Sequence, residues 1–252
     1  EDTAITEKEL GEQYDIHGGA RDLIFPHHEA EIAQMEAISK KQLVKYWLHT
    51  GFLTVKSEKM SKSLGNFITI RKALEKYSPE TLRIFYISVH YRSPINFDEK
   101  NLEQAKVNVE KINNFLVQAK NSVKKPTDNL KVKKLIEKLK EDFIKNMDDD
   151  INTPKVLASL FTFINKINKI LIKGINKNDY DKINNVIQEI NEIFDVLTLE
   201  EKVPKEIIKL ADEREKARKE KNFEKSDKLR HKIKVKGYLV EDTDSGYIIK
   251  KA

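Results

Sequence analysis

Between residues 102 and 194 one pattern occurs four times, and it limits the fold more than any other feature of the chain. Leu102, Ala105, Val109, Ile112 and Leu116 recur every three or four positions. So do Leu135, Leu139, Phe143 and Ile144; then Val156, Leu160, Phe163, Ile167 and Ile170; then Ile183, Val186, Ile187, Ile190 and Phe194. That spacing lines one face of a helix with apolar side chains and leaves Lys, Glu and Asn on the other. Short polar connections such as KKPTDN and KGINKND separate the stripes, and Asn152-Thr153-Pro154 is a helix start signal. Four amphipathic helices so joined predict an antiparallel bundle whose stripes are core rather than cofactor contacts. The run Asp148-Asp149-Asp150 invites a metal reading, but carboxylates just before a helix suit capping and the helix dipole.

The composition fits a soluble, highly charged protein of two or three domains, with 39% hydrophobic and 35% charged residues in 252. A net charge of +6 suits a polyanion, nucleic acid before membrane. Cysteine is absent, so this chain alone offers neither a disulfide nor a thiolate metal site. No apolar run reaches the roughly 18 residues of a membrane span, and the acidic start EDTAITEKEL is unlike a signal peptide. Cytoplasm is the expected compartment.

Ahead of the bundle the sequence is richer in chemistry. Residues 1–16 read as a polar lead-in ending in a short strand before Gly18-Gly19. In HGGARDLIFPHHEAEIAQMEA, Pro26 suits a first helical position, and from there His27, Glu31 and Ile38 stack on one side with Ile32 and Met35 beside them. His27 and Glu31 lie one turn apart, a spacing that serves a zinc ion or an ordinary surface ion pair. In EKMSKSLGN, Lys59 and Lys62 stand three apart beside two hydroxyls and Gly65. Two ammonium groups on a mobile loop can follow charge along a triphosphate, and equally they can form a solvated basic turn. Beyond it, TIRKALEKY predicts a helix and Ser78-Pro79-Glu80 starts another, although TLRIFYISV is strand-like by composition. The tail, 201–252, reads as one charged helix followed by a β-hairpin across Asp244-Ser245-Gly246.

Taken together, DIHGG, RDLIFPHHE, EIAQ and KMSKSLGN at these separations resemble the cysteinyl-tRNA synthetases, class I aminoacyl-tRNA synthetases. The resemblance runs strongly over residues 11–120, through YWLHTGFLTVKSEKMSKSLGN and ALEKYSPETLRIFYISVHYRSPINF, and more loosely over the remainder. It implies α/β plus all-α architecture: the C-terminal part of a Rossmann-type catalytic domain (1–98), a helical bundle that binds tRNA (99–200) and a small mixed α/β anticodon module (201–252). It implies ATP-dependent ligation of L-cysteine to tRNA(Cys) through cysteinyl adenylate, with ATP and magnesium as cofactors. Lys59 and Lys62 are then the catalytic lysines. Gly18 and Gly19 carry the nucleotide, Asp22 meets ribose or substrate amine, and His17, His28 and His49 form a histidine wall under the substrate. His27 and Glu31 become two ligands of the family's zinc, whose two cysteine ligands this chain lacks, as it lacks the HIGH tetrapeptide. The resemblance therefore implies a C-terminal portion that pairs with a missing N-terminal half and is otherwise monomeric. Ala20 stands where the family usually has a third glycine, and Ala30 where it has asparagine. It also places Arg83, Tyr91 and Arg92 toward the tRNA acceptor stem, and offers Tyr238 and Tyr247 for stacking on unpaired bases. Two other readings stand beside the ligase: a tRNA-binding fragment without catalysis, and a cysteine ligase acting on a small amino sugar.

Overall fold

A computed structural model of the chain describes residues 2–55, 58–60, 65–124, 129–197, 204–220, 222–243 and 246–251. It divides into two compact units, Glu1–Thr198 and Leu199–Ala252.

The first unit opens with helix α1 (Asp2–Leu10), in the stretch that the sequence reading takes as a polar lead-in to a short strand. No residue of α1 is buried, so it carries no apolar stripe to betray it. Gly11, with φ 84°, ends it in the left-handed conformation, its N–H donating to the Glu7 carbonyl at 2.9 Å. Strand β1 (Tyr14–Ala20) then contains the glycine pair rather than stopping before it. It pairs in parallel with β2 (Val44–Thr50), setting His17 beside Trp47 and Gly19 beside His49. Helix α2 (Glu29–Ser39) makes the crossover between them. The helical backbone is broken at Phe25, which is extended (φ −130°, ψ 132°), and resumes at Pro26 in a π turn that leads into α2; the Phe25–Pro26 bond is cis. A 3₁₀ turn (Arg21–Leu23) and the π turn (Ile24–His28) precede α2. Its buried side is Met35, packed with Leu43 and Val44, while Ile38 faces solvent.

Strands β3 (Leu53–Val55), β4 (Glu58–Lys59) and β5 (Ile95–Asn96) form a second sheet in the order β4-β3-β5. Between β4 and β5 lie α3 (Ile70–Leu74), capped by Thr69, and α4 (Pro79–Ile87). TLRIFYI is helical because Ser78 Oγ accepts the Thr81 N–H at 3.2 Å and Pro79 occupies the first turn. That local signal outweighs β-branched composition.

The bundle follows as α5 (Glu99–Asn121), α6 (Leu130–Asp148), α7 (Thr153–Leu171) and α8 (Lys177–Phe194). Asp98, Asn129 and Asn176 cap three of them, accepting N–H bonds at 2.8, 3.0 and 2.6 Å. The expected stripes are its core, with two shifts. Phe115 is buried where Leu116 was expected, and Val132 and Leu139 anchor α6 while Ile144 is 60% exposed. The core does not stop at the bundle. Ala73 of α3, Tyr77 just after it, and Leu82, Ile84 and Phe85 of α4 belong to the same cluster as Phe115, Phe163 and Ile164.

Polar contacts follow the same join. Arg83 Nη2 lies 3.0 Å from the Asp195 carboxylate, and Arg92 and Tyr91 both donate to Asp150. These side chains, expected to face an RNA stem, are tied to the bundle's own carboxylates. Within the acidic run, Asp149 accepts from the Asn152 side-chain amide at 3.3 Å and the Lys155 ammonium at 2.8 Å, and Asp150 from Arg92. None of these bonds goes to a backbone N–H at the start of α7, so the expected capping is not made, although the carboxylates do stand beside that helix end.

The second unit has two helices, α9 (Lys205–Lys219) and α10 (Phe223–Val235), instead of one. The break comes where Asn222 Oδ1 accepts the Lys225 N–H at 3.1 Å and starts a new helix. The hairpin β6 (Tyr238–Thr243) and β7 (Gly246–Lys251) forms as expected, its Asp244-Ser245 turn lying outside the described residues. Tyr238 and Tyr247 pack on Ile207, Ala211, Ile233 and Val240. Tyr247 also donates to Asp212, and burial with that carboxylate pushes its hydroxyl up to about 12. The rings expected to stack on bases are half-buried and pack against the unit's core.

Among the described residues no helix is long and apolar enough to cross a membrane. If the observed core and not the sequence stripe governs stability, Ile164→Ala should cost about 2–5 kcal/mol and Ile144→Ala under about 0.5 kcal/mol in urea unfolding. Equal losses at both positions would contradict the packing described here.

Candidate active site

The parallel register of β1 and β2 assembles an aromatic stack. His17 and Trp47 lie 4.8 Å apart between ring centroids, and Trp47 stacks on His49 at 6.0 Å with planes 7° apart. His28 sits among them, 4.7 Å from His17, 4.8 Å from Trp47 and 5.1 Å from His49. It reaches that place because Gly19 has no side chain: a Cβ there would lie 2.7 Å from His28 Cε1 and 2.9 Å from Nε2. The glycine serves the imidazole as well as any nucleotide.

His28 is the centre of the wall, although helical geometry alone points it away from His27. It is 4% exposed, and its Nδ1 shares a 2.9 Å hydrogen bond with His49 Nε2. Burial, followed by the charge of His17, holds its pKa down, which favours the neutral ring. At the other end, Tyr14 Oη bonds to His17 Nδ1, and His17 Nε2 stands 3.5 Å from Glu31 Oε2. Burial and the Glu31 charge keep the Tyr14 hydroxyl protonated well above its usual range. Tyr14 and Trp47 are site-lining residues that the motif reading missed or treated as packing. The two-residue spacing of Trp47 and His49 on one strand was the available signal.

The metal reading fares differently. Glu31, on the first turn of α2, takes His17 as its ion-pair partner, and His27 lies in the π turn. Among the described residues no group of three or more His, Asp or Glu side chains is placed to hold a metal. Two donors fill half of a tetrahedral zinc shell, so these residues do not by themselves fit zinc.

The lysine lies on the second sheet. Lys59, at the end of β4, donates to Asp22 Oδ2 at 2.5 Å and stands 4.6 Å above the Phe52 ring. Asp22 follows Gly18-Gly19 directly through the 3₁₀ turn, so glycine platform, carboxylate and lysine converge. The Lys59 hydrogen bond holds the Asp22 carboxyl below its usual range. Both side chains remain about half exposed, so the pair is open to an incoming anion. Lys62 lies outside the described residues, with Ser61 and Ser63. A separate groove of about 280 Å³ beside β3, lined by Leu53, Met60, Ile68, Leu82 and Tyr86 among others, is mostly apolar and unsuited to a triphosphate.

The site thus combines a parallel β-α-β unit with Gly18-Gly19 in its first strand, a lysine on a second sheet, and a four-helix bundle sharing the core. Residues 1–108 match the family of class I (C) tRNA synthetase catalytic domains, and residues 142–200 match the DALR domain. The chain is 42% identical over 249 residues to the cysteine–tRNA ligase of Caldicellulosiruptor saccharolyticus, covering 95% of this chain and 53% of that protein. The cysteine–tRNA ligase of Thermococcus onnurineus is 39% identical, covering 99% and 56%. Over nearly its whole length this chain is similar to cysteine–tRNA ligases. It spans about half the length of the curated relatives it matches. In structure it is similar to an Agrobacterium radiobacter K84 agnB2 LeuRS in a ternary complex with tRNA and LeuAMS. The TM-score is 0.59 at 12% identity over 72% of this chain and 26% of that one, a likeness of fold.

Zinc titrated into the 252-residue chain should show no tight one-to-one site by calorimetry, since two protein donors leave water or buffer to complete the shell. A nanomolar site abolished by His27→Ala would reverse this reading.

Proposed function

We propose that this chain supplies one side of the nucleotide site and the tRNA-binding helices for ATP-dependent ligation of L-cysteine to tRNA(Cys) through cysteinyl adenylate. The observation that carries it is Lys59 held against Asp22 beside the Gly18-Gly19 platform, in a chain 39–42% identical to cysteine–tRNA ligases.

The chemistry follows from those groups. Gly18 and Gly19 let the nucleotide approach the backbone closely. When magnesium-bound ATP arrives, its phosphates draw the Lys59 ammonium away from Asp22. The freed carboxylate then faces the ribose or the cysteine amine. As the cysteine carboxylate attacks the α-phosphate, negative charge builds on the departing pyrophosphate, and Lys59 with Lys62 meets it there. His17, neutral His28 and His49 form the wall of the pocket. His27 and Glu31 would contribute to zinc only together with donors outside this chain. Residues 1–98 act as the catalytic part, 99–200 as a bundle for tRNA and 201–252 as the anticodon module. The protein is placed in the cytoplasm.

Cysteine-dependent ATP–pyrophosphate exchange tests this. The 252-residue chain alone should give none, and addition of the remaining portion of a cysteine–tRNA ligase should restore it. In that complemented enzyme Lys59→Ala should lower exchange about 100- to 1,000-fold. Robust exchange by the chain alone, or full exchange after Lys59→Ala, would refute the assignment.

For the tRNA role, binding should weaken steeply with salt, because phosphate contacts release counterions. A tRNA with the cysteine anticodon GCA should compete better than one with a changed anticodon base, by about 1–3 kcal/mol per lost contact. Deleting 201–252 should erase that preference while leaving salt-sensitive binding. A preference that survives the deletion would place the reader elsewhere.

A further inference from the structure

The turn between α6 and α7 holds two adjacent non-glycine residues in the left-handed region, Asp150 (φ 55°) and Ile151 (φ 53°). For a β-branched isoleucine this is unusual, and such backbone persists only where the surroundings over-determine it. Here the backbone closes on the end of α6, with Ile151 N–H donating to Met147 O at 3.0 Å and Asn152 N–H to Asn146 O at 2.9 Å, and the Asp150 side chain adds a tie outside the turn. Asp150 Oδ2 accepts Arg92 Nε at 2.6 Å, and Oδ1 accepts Arg92 Nη2 at 3.1 Å and the Tyr91 hydroxyl at 2.6 Å. His90 Nε2 stands 3.8 Å from the same carboxylate, and its ring stacks on Tyr91 at 4.9 Å. Three consecutive residues thus converge on one bundle carboxylate, with the two-pronged arginine geometry that fixes orientation.

The held segment leads to the lysine. The Tyr91 carbonyl accepts the Gly51 N–H at 2.7 Å. Gly51 joins β2 to β3 and lies so close that a Cβ on it would meet Ser93 O at 2.2 Å, a backbone clash that only glycine avoids. Three residues beyond Arg92, β5 begins. There Ile95 N–H donates to Phe52 O at 2.9 Å, and Phe97 N–H donates to Thr54 O at 2.7 Å. β3 in turn pairs with β4, placing Thr54 opposite Lys59, while Met60 N–H donates to Leu53 O at 2.9 Å. Every link from Asp150 to Lys59 is a hydrogen bond or a short run of covalent backbone.

We propose that Asp150 is a positioning residue for catalysis, tying the bundle to the β3–β5 sheet so that the bundle's turn sets the place of Lys59. The proposal rests on the Lys59 role given above. It gives a role to the Asp150 carboxylate, which leaves the α7 start for Arg92 and Tyr91, and to a glycine at 51.

Hydrogen exchange on the full 252-residue chain tests the tie without reference to activity. Asp150→Asn should speed exchange of the Gly51 and Met60 amides about tenfold or more, leaving interior α5 amides such as Val109 and Ile112 unchanged. Arg92→Lys, which keeps the charge and loses the fork, should give the same pattern, and Asp150→Glu should restore part of the protection. Asp149→Asn should leave both amides alone. Faster exchange at Gly51 without Met60, or a rise throughout the bundle, would overturn the proposal. In the complemented enzyme, Asp150→Asn should lower kcat for exchange about tenfold or more with little change in KM for ATP. In a Lys59→Ala background it should lower kcat no further. Additive losses would overturn the tie. Full exchange by Lys59→Ala alone would defeat the catalytic reading of Lys59, and the hydrogen-exchange result would then decide whether the tie exists.

Discussion

The structure of the first unit depends on one apolar core shared between two regions that carry different chemistry. Ile84 and Phe85 of α4 are 0% and 1% exposed, and they pack in the same cluster as Phe115 of α5 and Ile164 of α7. Fully burying a side chain of this size stabilises by about 1.5–3 kcal/mol. Exposed ion pairs such as Arg83–Asp195 contribute about 0–1 kcal/mol. The core therefore holds the catalytic part against the bundle, and the ion pairs set how it is held. A protein built this way resists sliding at the join, because dense packing admits discrete arrangements rather than graded ones.

The active-site chemistry stands on less. The histidine wall rests on two paired strands and one crossover helix, with a small cluster of Met35, Leu43 and Val44 buried among the described residues and Tyr14, Ile32 and Trp47 packed against it. What keeps its rings in place is mutual: Gly19 leaves room for His28, His28 bonds His49, and Trp47 lies between His17 and His49. The consequence is chemical as much as structural. A ring as buried as His28 is favoured in its neutral form, so the centre of the wall presents a π face and a hydrogen bond to His49 rather than a positive charge. Positive charge arrives from the other sheet, on Lys59, where Asp22 already compensates it. Such a lysine is available to phosphate without being an uncompensated cation when the site is empty.

What the sequence revealed and what it hid divide along local and non-local lines. Helix existence was legible where an apolar period coincided with a start signal, as at Ser78-Pro79 and Asn152-Thr153-Pro154. Within a helix the stripe was off where neighbours compete: Leu116 and Phe115 differ by about 100° around the axis, and only packing decides which turns inward. α1 escaped notice because it buries nothing, and the split at Asn222 because charge runs continuously through both tail helices. The glycines, Asp22, Lys59 and the histidines were legible as a set from their motifs. Their partners were not. That Glu31 meets His17, and that Asp150 meets Arg92 58 residues away, depends on strand register and helix crossover rather than on spacing.

That last contact also shows why a weak bond can matter more than its energy. Asp150 is an exposed carboxylate held down at about 2 by Arg92 and Tyr91, so it stays ionised throughout the range in which proteins work. Its bonds add little net stability at such exposure, while two left-handed residues cost on the order of 1–3 kcal/mol each. As a contribution to folding the turn is a poor exchange. As a fixed point it is a good one, because a forked arginine and a tyrosine hydroxyl define direction as well as distance. A catalytic lysine misplaced by about 1 Å can lose two orders of magnitude in rate, far more than the turn costs. The strain at Asp150 and Ile151 is therefore best understood as the cost of orientation at Lys59, drawn from the stability of a bundle with a large core.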